Sequence, residues 1–299
     1  MAVPMVKHLL DRVVIIYNPM STGNSESNAR KLRQNLQDLS FRRKIILRPT
    51  EYSRHAEKIA KTYARRRRRT LLISSSGDGG YHELINGILQ APKTRVIAGL
   101  LPSGNANDHF SAVGSKNTAA EIMAGNIRKV DVLKMEAKID GKTWVRYAHS
   151  YIGIGISPLI GRELNRIKLN VFNEKIILLK QLLSYDYDTV VIDGVEKRLT
   201  SLIFANIPTM SKVLTVAKKS RINDGKFEVN SVEAGSKPQI FLRLFQASTL
   251  GLSEQTSTDF YKFRTIEPLP VQLDGEVYTL DGNCDVTVSC LHDKLSVII

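Results

Sequence analysis

An apolar run, Thr70-Leu71-Leu72-Ile73, gives way to three serines, Ser74 to Ser76, and then to Gly77-Asp78-Gly79-Gly80. Small residues let backbone N–H groups approach an anion, and a helix starting there would add its positive end. Asp78 complicates that picture, because two like unit charges about 4 Å apart repel by roughly 4 kcal/mol at an effective dielectric of about 20. A carboxylate beside phosphates makes sense if Mg²⁺ or a transferable proton stands between them, so that the phosphate is moved rather than merely held. The plain alternative is an Asx-turn residue that shapes the loop.

Two more loops share this composition, Asn18-Pro19-Met20-Ser21-Thr22-Gly23-Asn24 and Leu101-Pro102-Ser103-Gly104-Asn105-Ala106-Asn107-Asp108. Each follows an apolar stretch. One glycine-rich turn is weak evidence, but three at successive strand ends of one sheet point to an anion site, since open α/β sheets bind ligands beyond the carboxyl ends of their strands. The chain has no G-x-x-x-x-G-K-[ST] and no complete G-x-G-x-x-G. His82-Glu83 begins an H-E-x-x-H pattern whose second His is missing, which rules against zinc.

The elements that must position these loops follow from periodicity. Residues 12–19, 43–50, 70–75 and 95–102 read as strands, with helices over 25–39, 53–66 and 81–89 between them. That alternation predicts a doubly wound α/β domain with parallel strands. From about residue 130 the pattern changes to strand pairs around Asp140-Gly141, Asp193-Gly194, Asp274-Gly275 and Asp281-Gly282, dipeptides suited to tight hairpins. A helix over 173–183 interrupts them. The expectation is an α/β nucleotide-binding domain over 1–130, its sheet open to completion by residues 288–299, and a mostly antiparallel β-sandwich domain over 131–287.

The 299 residues carry a formal net charge of +14, so an anionic membrane, nucleic acid or a phosphate-rich substrate would all suit the chain. Arg65 to Arg69 is the densest spot. It reads as a solvated helix end, compatible with contact to an anionic lipid surface. Nucleic acid is disfavoured, because no aromatic stacking platform accompanies the run. The longest apolar runs, 13–17 and 176–179, are far too short to span a bilayer. The N-terminus shows no secretory leader, which predicts a cytoplasmic, peripheral protein. Cys284 and Cys290 form no C-x-x-C pair and read as thiols in core or strand positions. A homodimer stays open.

The segment Ser76-Gly77-Asp78-Gly79-Gly80-Tyr81-His82-Glu83-Leu84-Ile85-Asn86-Gly87 resembles the G-G-D-G-T-x-x-E-x-x-N-G motif of the diacylglycerol kinase catalytic-domain family, which includes bacterial lipid kinases and sphingosine kinases. Residues 15–24 resemble that family's N-P-x-[SA]-G loop, 49–60 its T-x-x-x-G-H-A stretch, 101–110 its P-x-G-[ST]-x-N-D loop and 128–132 its V-D strand. Residues 149–157 resemble the glycine-rich strand of its second domain, 220–229 its D-D-G-x-F segment and 273–276 its late D-G-E.

The resemblance implies an ATP-dependent kinase of a lipid hydroxyl. ATP would be contacted by Asn18, Pro19, Ser21, Thr22, Thr50, Ser76, Gly77, Asp78, Gly79, Gly80, Tyr81, His82, Glu83, Gly104 and Asn105. The base would be Asp274 with Glu276, or Asp78, and Mg²⁺ would be held by Asp224 and the carbonyls of Arg221 and Lys226, near Asp131. The lipid would be diacylglycerol or similar. The chain departs from the motifs at Ser76, Gly80, Arg54 and Ser157, where the family has Gly, Thr or Leu, Gly and often Asp. Residues 175–183 are a candidate wall for acyl chains. Rival readings are a kinase of a soluble substrate of the NAD kinase type, and a non-catalytic lipid- or nucleotide-binding homologue.

Overall fold

Parallel strands cannot be joined by tight turns, so each crossover needs a helix, and the first third of the chain supplies them in alternation. The computed structural model describes residues 10–21, 23–91, 94–104, 108–114, 118–156, 187–210, 214–215, 217–236, 239 and 256–299. It divides into two compact units, Met1–Val130 with Asp293–Ile299, and Asp131–His292. Among the described residues no helix is long and apolar enough to cross a membrane.

In the first unit the order is β1 (Arg12–Tyr17), α1 (Ser25–Asp38), β2 (Lys44–Pro49), α2 (His55–Ala64), β3 (Thr70–Ser76), α3 (Asp78–Leu89), β4 (Val96–Pro102), α4 (Asp108–Val113) and α5 (Ala119–Ala124). Strands β2, β1, β3 and β4 lie side by side in that order, all parallel. Val13, Ile15 and Tyr17 pack with Ala29, Leu32 and Leu36 of α1 and with Ala119 and Ile122 of α5. Because side chains alternate along a strand, Val14, Ile16 and Leu72 serve the opposite face. There α2 packs on α3, which in turn lies on β3.

The α2–α3 contact depends on Gly87, where a Cβ would overlap the Glu57 carbonyl oxygen and lie 2.7 Å from Ala60 Cβ. Gly87→Ala raises helix propensity by up to about 1 kcal/mol. Forcing two backbones apart costs more, and a net destabilisation of about 1–3 kcal/mol is expected, read as a lower urea midpoint. A raised midpoint would show that the helices separate freely.

The strand β5 (Ile127–Ile139) leads into the second unit, which continues with β6 (Lys142–Ala148), β7 (Tyr151–Gly155), β8 (Asp188–Ile192), β9 (Val195–Ala205), β10 (Thr209–Met210), β11 (Leu214–Thr215), β12 (Phe227–Glu233), β13 (Thr256–Thr258), β14 (Phe260–Thr265), β15 (Leu269–Leu273) and β16 (Glu276–Leu280). The last strand, β17 (Asp285–Ile298), begins in this unit and ends in the first, where Val297 pairs in parallel with Ala98 of β4. The second unit's pairs are antiparallel. Hydrogen bonding runs without a break through β16, β15, β7, β9, β8, β14 and β17, and β17 also pairs with β5. Where a sandwich was expected, these strands are hydrogen-bonded as one continuous sheet. Its strands share one core, in which Phe204 contacts Phe227, Phe263 and Tyr261.

Asp140, Asp193 and Asp274 have φ of 51°, 53° and 49°, each followed by a positive-φ glycine, as two-residue hairpins require. Asp281-Gly282 differs from the expected hairpin. It joins β16 to β17, which do not pair, and the left-handed residue is Asn283. The Asp281 carboxylate instead accepts the N–H groups of Asp140 and Gly141 at 2.9 and 2.7 Å, capping a neighbouring turn. The segments 157–186 and 240–255, with the expected helix over 173–183 and Ser157, lie outside the described residues.

Candidate functional site

The order β2-β1-β3-β4 means that the chain moves one way from β1 to β2 and the other way from β3 to β4. Loops leaving β1 and β3 therefore part in opposite directions, which opens a crevice at their carboxyl ends. The 18–24 and 77–80 segments leave from those two ends, and 103–104 leaves from β4.

The three loops touch. A Cβ on Gly23 would overlap the Ser103 carbonyl oxygen, and one on Gly77 would lie 3.1 Å from Gly104 Cα. Serines fasten the junctions. Ser25 Oγ donates to the Ser75 carbonyl and accepts the Asn18 N–H at 3.1 Å, while Ser75 Oγ donates to the Ser25 carbonyl at 2.7 Å. Ser103 N–H reaches the Ser76 carbonyl at 3.0 Å, and Asn28 Nδ2 donates to Ser103 Oγ at 2.9 Å. Ser75 and Ser103 lie in segments the sequence already marked, whereas Ser25 and Asn28, on α1, carry no motif signal.

The sequence-predicted residues fall into distinct groups. Asn18 shapes its loop, accepting the Met20 N–H on Oδ1 at 2.9 Å. Pro19 is exposed in the same turn, and Ser21 Oγ accepts the Gly23 N–H at 3.3 Å. Thr50 follows β2 and donates its N–H to the Tyr17 carbonyl at 2.8 Å. Thr22 and Asn105 lie outside the described residues.

The helix predicted to start at Tyr81 starts at Asp78, with extended Gly77 before it and no side-chain cap. Asp78, Gly79 and Gly80 thus form the first turn, whose N–H groups have no acceptor within the helix. The glycines did not end the turn, because a helix tolerates them where a ligand or loop must approach. Asp78 Oδ2 lies 3.4 Å from the Asp108 N–H.

Ser76 and Gly80 explain one another. A Cβ on Gly80 would sit 2.6 Å from both Ser76 Cβ and Oγ. Ser76 thus occupies space that a larger residue at 80 would need. Its hydroxyl, 2.7 Å from Ser74 Oγ, donates to the Gly77 carbonyl at 2.9 Å.

Tyr81 and His82 turn away from the loops. Tyr81 is buried against the His109 ring, and buried His82 holds Asn86 Nδ2 at 3.2 Å from its Nε2. Glu83 takes the N–H groups of Arg54 and Ala56 on its two oxygens, at 2.9 and 3.1 Å, and so caps α2. Arg54 itself is left-handed, at φ 64°.

In the second unit Asp274 is buried. Oδ1 accepts the N–H groups of Ser150 and Tyr151 at 2.9 and 3.2 Å, and Oδ2 accepts that of His149 at 2.9 Å, with His149 Nε2 at 3.4 Å. The carboxylate ties the β15–β16 turn to the segment before β7. Glu276, at the start of β16, is exposed.

Asp131 is fully buried. It accepts the Gly225 N–H at 2.7 Å and lies 2.9 Å from His292 Nδ1, and its own N–H reaches the Ile222 carbonyl at 2.7 Å. These contacts hold the Arg221–Lys226 turn, in which Asp224 Oδ1 accepts the Lys226 N–H at 3.1 Å. Sequence reading missed His292, and also Glu228 beyond the turn. Burial first, and then the charge of Asp224, pushes the Glu228 carboxyl above its ordinary range, while the nearby Ser220 hydroxyl acts in the other direction. Its Oε2 is buried without a hydrogen-bond partner. Such an oxygen beside Asp224 fits a hard divalent cation, which takes oxygen ligands. The loops and the α3 N-terminus likewise fit a phosphate chain, with glycine at each close approach.

The Diacylglycerol kinase catalytic domain model matches residues 12–135. No curated protein matches the sequence. Two solved structures of diacylglycerol kinase-type proteins from Bacillus anthracis str. Sterne share the fold. One has a TM-score of 0.73 at 19% identity, covering 96% of each chain. The other has a TM-score of 0.72 at 18% identity, covering 100% of this chain and 98% of that one. Residues 12–135 are thus similar to the diacylglycerol kinase catalytic domain, and the chain as a whole shares the fold of these two structures.

Proposed function

We propose that this protein transfers the γ-phosphate of ATP to the hydroxyl of a lipid, diacylglycerol or a similar alcohol, at an anionic membrane surface on the cytoplasmic side. The observation that carries this reading is the joining of three glycine-containing loops at the point where the strand order reverses, with α3 opening on Asp78.

Asn18, Ser21, Gly23, Gly77, Gly104 and the first-turn N–H groups of α3 hold the phosphates. Thr50 and the Glu83-capped segment 54–56 shape the neighbouring wall. The turn residues Arg221, Asp224 and Lys226, with Glu228, are suited to hold Mg²⁺. A divalent cation supplies neutralisation of phosphate charge when bound. Glu276 takes the proton of the acceptor hydroxyl, being the exposed member of its pair, and Asp274 fixes the turn that carries it. The alkoxide oxygen attacks the γ-phosphorus in line and ADP leaves, so the chain contributes chiefly position and charge.

The test is transfer of label from γ-labelled ATP, with Mg²⁺, to vesicles holding diacylglycerol, monoacylglycerol, phosphatidylglycerol, undecaprenol and sphingosine. A single labelled lipid is expected and would name the acceptor. Measurable ATP binding with no labelled lipid, or efficient transfer to NAD without vesicles, would overturn the reading.

A further inference from the structure

Arg12 opens β1, in register with Thr70 at the start of β3. It is 5% exposed, unusual for a cation. Its Nε donates to Thr70 Oγ1 at 2.8 Å, and its guanidinium lies over the Tyr63 ring, 4.7 Å from the centroid. Nη2 is buried and has no hydrogen-bond partner.

Other arginines stand close to it. Arg66 lies over the same ring at 5.0 Å. Burial first, then the charge of Arg66, holds the Arg12 guanidinium below its ordinary range; Tyr63 opposes this, Arg68 adds to it, and Asp11 opposes it least. The Asp11 carboxylate is turned to the Arg69 N–H, at 2.8 Å. No carboxylate of the described residues forms an ion pair with Arg12 or with Arg65 to Arg69. All five of those arginines are exposed. A desolvated donor among unneutralised cations is costly, and an anion with several acceptor oxygens would satisfy it.

We propose that Arg12, Arg66 and Arg68 form a binding site for a phosphate monoester group at the amino ends of β1 and β3. A seven-residue strand such as β3 separates the two ends of the sheet by about 20 Å, so this site is distinct from the loops at the carboxyl ends. A monoester presents three terminal oxygens and close to two charges, matching more than one guanidinium fork. The group could belong to a free phosphate compound or to a lipid headgroup. The proposal does not rest on the kinase reading.

The full chain is titrated by calorimetry with inorganic phosphate at constant ionic strength, and in parallel with vesicles of phosphatidic acid or of phosphatidylglycerol at matched charge. Variants are Arg12→Gln, the exposed pair Arg66→Ser/Arg68→Ser, and a control pair of equal charge loss on α1, Lys31→Ser/Arg33→Ser. The Arg66/Arg68 pair decides the matter even if Arg12→Gln fails to fold. Affinity is expected to fall about tenfold or more in that pair and less than about twofold in the control. Arginine-dependent binding of inorganic phosphate identifies a free phosphate as ligand. Arginine-dependent binding confined to phosphatidic acid vesicles identifies a headgroup. Equal losses in both pairs, no loss in either, or vesicle binding that follows total charge alone would overturn the site.

Discussion

Asp274→Ala is expected to lower the stability of the protein by about 3–5 kcal/mol, seen as a fall in Tm of about 10 °C. The deleted carboxylate leaves the backbone N–H groups of His149, Ser150 and Tyr151 without this acceptor in a buried place. Burying a donor unpaired costs far more than an exposed hydrogen bond contributes. Asp274→Asn should fall between, because an amide keeps one acceptor oxygen but turns its own donors toward donors. Glu276→Gln tests the division of labour within the pair. It should leave Tm within about 1 kcal/mol equivalent, since the side chain is exposed, and should reduce phosphate transfer by about 10²–10⁴-fold, the range for a general base. If Asp274→Asn kept full stability and lost transfer, Asp274 itself would be the base.

Asp78→Asn should show the reverse pattern from Asp274→Ala. Asparagine keeps the size and the acceptor oxygen of aspartate at the start of α3, and loses only the charge that favours a helix N-terminus, worth about 0.3–1 kcal/mol. Stability should barely move. Transfer should fall about 10²–10³-fold, because the carboxylate stands beside the phosphate loops, where it is unfavourable unless a cation or proton is bound with the phosphates. The KM for ATP should stay level or drop, since removing the charge removes repulsion. Comparison of kcat and KM for the two proteins checks this. Unchanged kcat with a clear loss of stability would make Asp78 a helix-dipole residue and nothing more.

The parallel strands were legible because buried runs such as Val13 to Tyr17 end abruptly at Pro, Gly or Ser. Their lateral order was not, since nothing local records that β1 sits between β2 and β3. The loop compositions pointed to an anion site, and the structure brings those loops together. The roles of neighbours within a motif were less legible. Glu83 is a nucleotide contact only by what the resemblance implies, and its oxygens cap α2, a contact between residues 27 and 29 apart that sequence distance conceals. Tyr81 and His82 follow the loop directly, but helix geometry rotates each by about 100° from its neighbour and sends both inward. Asp274 sits in a dipeptide that reads as a surface hairpin, and the turn is there. The carboxylate is nonetheless buried, because its acceptors are filled by a segment more than a hundred residues earlier in the chain.

The membership of residues 293–299 in the first unit bears on how the protein is made. Translation delivers the segment up to Val130 early, with β4 in place but its parallel neighbour from β17 still unsynthesised. At about 5–20 residues per second, the remaining stretch takes the ribosome on the order of ten seconds. Throughout that interval the nascent first unit presents an open strand edge, the kind of surface on which chains stick to one another. Closure of that edge is therefore a late event in biosynthesis, and truncation shortly before residue 293 would make the exposure permanent.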